Sequence, residues 1–224
     1  MTIGDVVENS AAVVYLFHPG TMGGPAIANI LSGKVNPSGK LPVSLPRMVG
    51  QLPLYYAHKN TGRPASGMTL INEIPREAGQ TSTGCTSFFL DAGDGALFPF
   101  GYGLSYTQFD YSHLKLEKGN SPDILQKVSC TITNIGDRDG EEVVQLYICD
   151  KVASVSQAPI LLKGFRRIFL KKGESKQVTF TLGKEELSLY NMEMKQVVEP
   201  GEFKVMVGTA SNDIRLDGEF TLTP

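Results

Sequence analysis

A continuous apolar run, AAVVYLF (residues 11–17), is the feature that most restricts what this chain can fold into. Such a run is typical of a strand that is buried on both faces of a sheet. The turn HPGTMGG follows, and then a helical pattern, GPAIANILSG, with Pro25 in its first turn and Gly33 at its end. The breaker-rich stretch VNPSGKLPVSLP (35–46) predicts an irregular extended path after the helix.

One strand and one helix cannot bury each other completely. A strand with two apolar faces needs neighbouring strands and a second helical layer, and no second β-α unit follows residue 46. We therefore expect residues 1–47 to be the C-terminal piece of an α/β domain whose larger part is missing. Alone, this piece should be unstable or form oligomers through its exposed sheet edge.

The remainder of the chain predicts mostly β structure. In KVSCTITNIG (127–136), Val128, Cys130 and Ile132 alternate with polar residues, and SKQVTFTLG repeats the pattern later. About seven strands separated by short turns indicate an immunoglobulin- or fibronectin III-like β-sandwich over residues 106–224. Residues 48–105 then form a connecting segment and an interdomain joint.

Charge and hydropathy exclude two classes of partner. The formal net charge is −2, with no basic stripe of the kind that binds nucleic acid. No apolar run approaches the ~18–20 residues that cross a bilayer, so we expect no membrane partner. The N-terminal segment carries acidic residues where an export signal would carry basic ones, and we expect no signal peptide here.

The residues themselves supply no complete catalytic set. Ser105 lacks the setting of a nucleophile elbow, and His18 is expected to have an ordinary polar role in a turn. The cysteines have no metal-ligand spacing, GTMGG (20–24) lacks a P-loop lysine, and we expect no metal and no cofactor. Four carboxylates of the first half are expected to be turn or surface groups: Glu73, Glu77, Asp91 and Asp94.

The segment ALFPFGYGLSYTQFDY (96–111) is rich in aromatic residues, which indicates either a sugar-stacking surface or a packed joint. The chain contains no Trp, the ring that sugar platforms favour. We predict a joint, with Phe100 and Tyr102 largely buried. Gly101 and Gly103 are expected to permit close backbone approach or a positive φ.

Several motifs together resemble glycoside hydrolase family 3. PGTMGGPAIANILSGKVNPSGKLPVSLP is similar to a segment of its α/β sandwich domain, and QLPLYYAHKNTGRP to the stretch that follows. VVQLYI, LKGFRRIFLKKGES and EPGEFKVMVGTAS resemble its fibronectin type III-like domain. The resemblance covers essentially the whole chain, and its bacterial periplasmic β-glucosidases are the nearest type.

The resemblance implies a retaining exo-glycosidase built from a (β/α)8 barrel, an α/β sandwich and this fibronectin-like domain. An aspartate on the barrel would be the nucleophile, and a glutamate in the upstream part of the sandwich the acid/base. No residue of this chain matches either motif, so no catalytic residue is assigned. The implied partners are the missing barrel and the remainder of the sandwich, with a β-glucoside or oligosaccharide as substrate. The parent family is periplasmic or secreted.

Two polar residues are the candidate substrate-binding residues. Asn60 and Arg63 of NTGRP lie in a predicted loop that we place near the substrate entrance, although a structural salt bridge or hydrogen bond explains them as well. The sequence departs from the family pattern at Phe88, where arginine is usual, and in the insert 65–84.

An alternative function is a standalone fibronectin-like module that binds protein or carbohydrate.

Overall fold

Strands begin at Phe109 and continue almost to the end of the chain in the computed structural model, which describes residues 2–63, 69–79, 88–93 and 95–223. The strands are β1 (Phe109–Ser121), β2 (Ile124–Asn134), β3 (Gly140–Asp150), β4 (Leu161–Leu170), β5 (Ser175–Leu182), β6 (Leu189–Tyr190), β7 (Gln196–Val197), β8 (Gly201–Ala210) and β9 (Asp213–Leu222). The helices are α1 (Gly4–Glu8), α2 (Gly23–Leu31) and α3 (Lys184–Leu187). Single 3-10 turns occupy Val49–Gln51 and Ile71–Glu73.

Two antiparallel sheets face each other and form a β-sandwich. One sheet has the order β1-β2-β5, the other has the order β4-β3-β8-β9, and β6 pairs with β7 as a small hairpin. The predicted fold class is therefore confirmed. The alternation seen in the sequence explains the packing, because Val128, Cys130 and Ile132 of β2 all enter the core. They meet Leu146 of β3 and Val205 of β8 from the facing sheet.

Helix α2 forms as the sequence predicts. Its C-terminus is closed by Gly33 at φ 72°, a conformation that favours glycine. The Val35 N–H donates to the Asn29 carbonyl at 3.0 Å and satisfies one of the last carbonyls of the helix. The apolar surface of α2 remains partly open, since Leu31 is 68% exposed.

The prediction that residues 11–17 form a buried strand is wrong for this chain. These residues have no regular secondary structure, and Val13, Val14 and Phe17 are exposed. A strand is held by a hydrogen-bonded ladder, and no described residue pairs with this segment. The expected sheet edge is therefore not present among the described residues, and an exposed apolar segment takes its place.

The connecting segment before the sandwich is irregular, as predicted. Besides the two 3-10 turns, it contains isolated bridges, including Leu45 with Phe98 and Phe89 with Gly93. Phe88 is half-buried. Residues 65–68 and 80–84 of the insert, together with Cys85 and Asp94, lie outside the described residues.

The core generates the first testable prediction. Leu146 is fully buried, and Leu146→Ala should lower the free energy of unfolding by about 2–5 kcal/mol, because a cavity remains where the side chain packed. Leu104 is 73% exposed, and the matched change Leu104→Ala should cost less than about 0.5 kcal/mol. Urea denaturation of the two variants measures both quantities. Equal losses would contradict the assigned core.

Candidate functional site

The breaker-rich stretch 35–46 runs beside the aromatic segment and pairs with it. The Leu41 N–H donates to the Tyr102 carbonyl, and the Gly101 N–H donates back to the Leu41 carbonyl, each at 2.8 Å. Further along, the Leu45 N–H donates to the Phe98 carbonyl, also at 2.8 Å. These bonds satisfy backbone groups that proline-rich extended chain would otherwise leave unpaired.

The aromatic segment is in turn bonded to strand β3. Gln145 is 3% exposed, and its Nε2 donates to the Gly101 carbonyl at 3.1 Å and to the Thr209 carbonyl at 2.5 Å. The Tyr147 hydroxyl donates to Gln145 Oε1 at 2.5 Å. A Cβ on Gly101 would lie 2.1 Å from Gln145 Oε1, and the φ of Gly101 is 82°. Both predicted reasons for a glycine at this position are thus confirmed.

Gly103 is constrained by a second close approach. A Cβ at this residue would lie 2.2 Å from the Gly39 carbonyl oxygen, so the two backbone segments pack without a side chain between them. The prediction for Gly103 is confirmed by this contact.

A buried ion pair joins the stretch 35–46 to the sandwich. Lys40 Nζ lies 3.3 Å from Glu142 Oε1, and the two side chains are only 11% and 4% exposed. Lys40 Nζ also donates to the Gly103 carbonyl at 2.9 Å, and the Tyr111 hydroxyl donates to Glu142 Oε1 at 3.1 Å. Burial raises the pKa of Glu142, while Lys40 acts in the opposite direction. Burial also raises the pKa of Tyr111, with Glu142 adding to that effect.

A third contact, built from amide and hydroxyl groups, fixes the end of the aromatic segment. Asn36 Oδ1 accepts from the Tyr106 N–H at 2.8 Å and from Ser105 Oγ at 3.1 Å. The Tyr106 hydroxyl donates to the Ile30 carbonyl of α2 at 3.1 Å. Ser105 therefore has a structural hydrogen-bonding role.

Three aromatic rings meet where the connecting segment reaches the sandwich. The Tyr56 ring stacks on Phe100, with centroids 4.2 Å apart and an interplanar angle of 15°. Its edge contacts Tyr147, with centroids 6.3 Å apart and an angle of 67°. The Tyr56 hydroxyl accepts the N–H of Leu162 in β4 at 3.2 Å. Tyr56 thus bonds and stacks with two strands of the same sheet.

These contacts identify the aromatic segment as a joint. Phe100 and Tyr102 are half-buried, less than the large burial predicted for them, and each ring is stacked on another. Tyr102 stacks on Phe98 with centroids 5.0 Å apart. Rings that are covered by protein on one face and bonded through their backbone serve packing.

The two candidate substrate-binding residues lie on the loop that follows Tyr56. Asn60 and Arg63 are both exposed, on irregular backbone at the end of the first described stretch. The loop begins next to Gln51, which is 2% exposed and whose Nε2 donates to the Gly95 carbonyl at 3.1 Å. The loop is therefore fixed at its start by this hydrogen bond.

The other sequence candidates occupy ordinary positions. Glu73, Glu77 and Asp91 are exposed, as predicted for turn and surface carboxylates. Cys130 is buried, and burial raises its pKa to about 11, whereas Cys149 is half-buried. Among residues 2–63, 69–79, 88–93 and 95–223, no group of three or more acidic, His or Cys side chains is placed to hold a metal.

The sequence analysis did not predict the Lys40–Glu142 pair. The sequence does, however, contain a signal for Glu142. Glu142 has the same strand parity as Val144 and Leu146, and all three face the core. A carboxylate at an inward position of an alternating strand needs a partner. Nothing in the sequence identifies Lys40 as that partner.

A first segment that contains helix α2, joined through an aromatic joint to a fibronectin-like sandwich, is the arrangement that the two family matches of this chain describe. Residues 1–106 match the glycosyl hydrolase family 3 C-terminal domain, and residues 142–211 match the fibronectin type III-like domain. The chain belongs to glycoside hydrolase family 3, so the predicted resemblance is confirmed.

Relatives with known names cover nearly the whole chain. A periplasmic β-glucosidase from Salmonella typhimurium is 42% identical over 96% of this chain, and a β-xylosidase from Formosa agariphila is 40% identical over 94%. A mutant β-glucosidase from Listeria innocua in complex with laminaribiose superposes on 100% of the chain with a TM-score of 0.87 and 38% identity. The chain spans only 26%, 27% and 29% of these proteins, respectively.

The buried ion pair generates the second prediction. Lys40→Met should lower the free energy of unfolding by about 3–5 kcal/mol near pH 8, because the Glu142 carboxylate loses its buried counter-charge. A carboxyl group whose folded pKa is raised favours folding when protonated, and that contribution is lost as pH rises through the folded pKa. Without Lys40 that pKa rises further, so the loss should be smaller at pH 5.

Urea denaturation at pH 5 and pH 8 measures this difference. The double variant Lys40→Met with Glu142→Gln is the control, since it leaves no unpaired buried charge and should regain most of the lost stability. A loss that is the same at both pH values and persists in the double variant would show that Lys40 acts through packing alone.

Proposed function

We propose that the chain is the C-terminal accessory part of a retaining β-glucosidase-like exo-glycosidase and is inactive alone. The observation that supports this most directly is its alignment with about a quarter of full-length β-glucosidases. We assign residues 1–47 to the α/β sandwich domain, 48–105 to the connecting segment and joint, and 106–224 to the fibronectin-like domain. The parent enzyme is proposed to be periplasmic or secreted, as the name of the Salmonella relative suggests.

The chemistry supports inactivity of the chain alone. Retaining glycosidases place two carboxyl groups about 5–5.5 Å apart around the scissile bond. Glu73, Glu77 and Asp91 are exposed, and Glu142 is buried in a pair with Lys40, so none of these is arranged for that task. The nucleophile and the acid/base are proposed to come from the missing barrel and the remainder of the α/β sandwich.

The exposed apolar residues near the N-terminus support the same proposal. Val13 and Phe17 are 40% and 51% exposed, and apolar surface of this kind marks a contact with another chain segment or another molecule. We propose that the missing part of the sandwich domain covers them, and that the isolated chain forms oligomers through this surface. No helix among the described residues is long and apolar enough to span a bilayer.

Asn60 and Arg63 are proposed to lie near the substrate entrance. Exposed polar groups on a loop fixed at one end can donate hydrogen bonds to sugar hydroxyls, and loops carry many binding residues in proteins. Their support is this exposure and loop position. Their alternative role is a structural salt bridge or hydrogen bond, and the KM measurements described below distinguish the two roles.

The contacts of the joint support the glycosidase proposal better than the alternative, a standalone fibronectin-like module that binds protein or carbohydrate. Lys40, Gln145 and Tyr56 tie the first hundred residues to the sandwich by an ion pair, hydrogen bonds and stacking. An ordered appendage to a binding module would need no such network. We therefore keep the glycosidase proposal.

The third prediction concerns activity. The chain alone should be folded by circular dichroism and should not hydrolyse 4-nitrophenyl β-glucoside above buffer. A chimera that joins it to the preceding part of the Listeria innocua β-glucosidase should hydrolyse the same substrate, because the Listeria part supplies the two proposed carboxyl groups and this chain completes the domain that holds them. The same Listeria part without this chain is the control and should be inactive.

Turnover by the chain alone would contradict the proposal, and Glu73, Glu77 and Asp91 would then be the first residues to replace. A folded but inactive chimera would show that this chain does not complete a family 3 enzyme.

The fourth prediction tests the two candidate residues in the active chimera. Asn60→Ala and Arg63→Ala should each raise KM about five- to tenfold and leave kcat nearly unchanged, as expected for the loss of one hydrogen bond that binds ground state and transition state alike. The neighbouring change Lys59→Ala is the control. If KM is unchanged in both variants, the residues have only a structural role.

A further inference from the structure

We propose that Tyr56 is a positioning residue, through which the fibronectin-like sandwich holds the loop of residues 52–63, the entrance loop, in place for substrate. This inference rests on the proposed location of Asn60 and Arg63 near the substrate. Its physical basis, the attachment of the loop to the sandwich, stands on the contacts of Tyr56 alone.

The two rings that hold Tyr56 are themselves rigid. Tyr147 is fully buried, and its hydroxyl is fixed by Gln145, which is bonded to two backbone carbonyls. Phe100 is held through its backbone, since its N–H donates to Ser44 Oγ at 3.2 Å and its carbonyl accepts the Ser211 N–H at 2.9 Å. Tyr56 therefore stacks on groups that cannot easily move away.

The hydroxyl of Tyr56 occupies a position that the sandwich leaves open. Strand β4 is at the edge of its sheet, and its register with β3 shifts between the pairs Leu146–Gly164 and Tyr147–Leu162, which leaves Lys163 as an extra residue. Bulges and edges leave backbone groups without a strand partner. The Leu162 N–H donates a hydrogen bond to the Tyr56 hydroxyl, so Tyr56 supplies an acceptor that the sheet does not.

Attachment at Tyr56 limits where the loop residues can go. A chain extends at most about 3.6 Å per residue, so Asn60 stays within about 14 Å of Tyr56. Gln51, which is buried immediately before the loop, fixes its start, so the loop is held at two points that precede Asn60. A loop attached at two points loses little further conformational entropy when it contacts substrate.

The neighbouring tyrosine provides a matched control. Tyr55 is 63% exposed, whereas Tyr56 is half-buried between the rings and the strand. Replacing Tyr55 removes the same number of atoms at nearly the same point of the chain but breaks none of these contacts. Any difference between the two variants therefore reports the attachment of the loop.

The first measurement is limited proteolysis of this chain. Within the entrance loop trypsin can cleave only after Lys59, because Arg63 is followed by proline. Tyr56→Ala should accelerate this cleavage about tenfold, and Tyr56→Phe, which loses only the hydroxyl, about threefold. Tyr55→Ala should leave the rate unchanged. Equal rates for the Tyr55 and Tyr56 alanine variants, with unchanged circular dichroism, would overturn the proposal.

The second measurement uses the active chimera and its KM and kcat for 4-nitrophenyl β-glucoside. Tyr56→Ala should raise KM about five- to tenfold with kcat nearly unchanged, and Tyr56→Phe should retain most of the affinity. Faster proteolysis with an unchanged KM would overturn the positioning role. If the Asn60 and Arg63 variants also leave KM unchanged, the assignment of the loop to the substrate entrance fails, while an active chimera still supports the glycosidase proposal.

Discussion

The buried carboxylate of Glu142 is the constraint on which the arrangement of this chain depends. It lies on the core face of β3, where an unpaired charge would be strongly destabilising. Its two partners come from different places: Tyr111 from the facing sheet, and Lys40 from the stretch that precedes the aromatic segment. One side chain thus links both sheets of the sandwich to the α/β part.

Strand β3 is buried on both faces, and this explains how the two parts form one unit. Antiparallel sheets in sandwiches commonly have one face on the core and one in water. Here Val144 and Leu146 face the core, while Gln145 and Tyr147, with the opposite parity, are covered by the aromatic segment. The domain boundary in the sequence is therefore not a boundary in the packing.

The structural features that could be predicted from the sequence are those that local sequence patterns determine. The alternation of β2, helix α2 and the special roles of Gly101 all follow from neighbours in the chain or from backbone limits. The strand expected at 11–17 failed because a strand depends on a partner, and no described residue supplies one. The apolar pattern correctly indicated a need for burial but could not show whether the covering residues were present.

The contacts of the joint could not be predicted for a different reason. Lys40 and Glu142 are distant in the sequence, and neither residue type nor spacing indicates that they meet. Tyr55 and Tyr56 are adjacent and chemically identical, yet Tyr55 is exposed, whereas the Tyr56 ring stacks on Phe100 and makes an edge contact with Tyr147. The contacts that distinguish Tyr56 come from distant parts of the chain, namely Phe100, Tyr147 and the Leu162 N–H.

The role of the fibronectin-like sandwich follows from these contacts. Function resides in sites that a fold positions, and the sandwich holds two segments of the chain that precede it. The ion pair at Lys40 fixes the extended stretch, and the rings around Tyr56 fix the entrance loop, both against β3. A rigid central strand that is bonded to two separate segments sets their positions relative to each other. Under the proposed placement of the entrance loop, the sandwich would affect substrate affinity without touching the substrate.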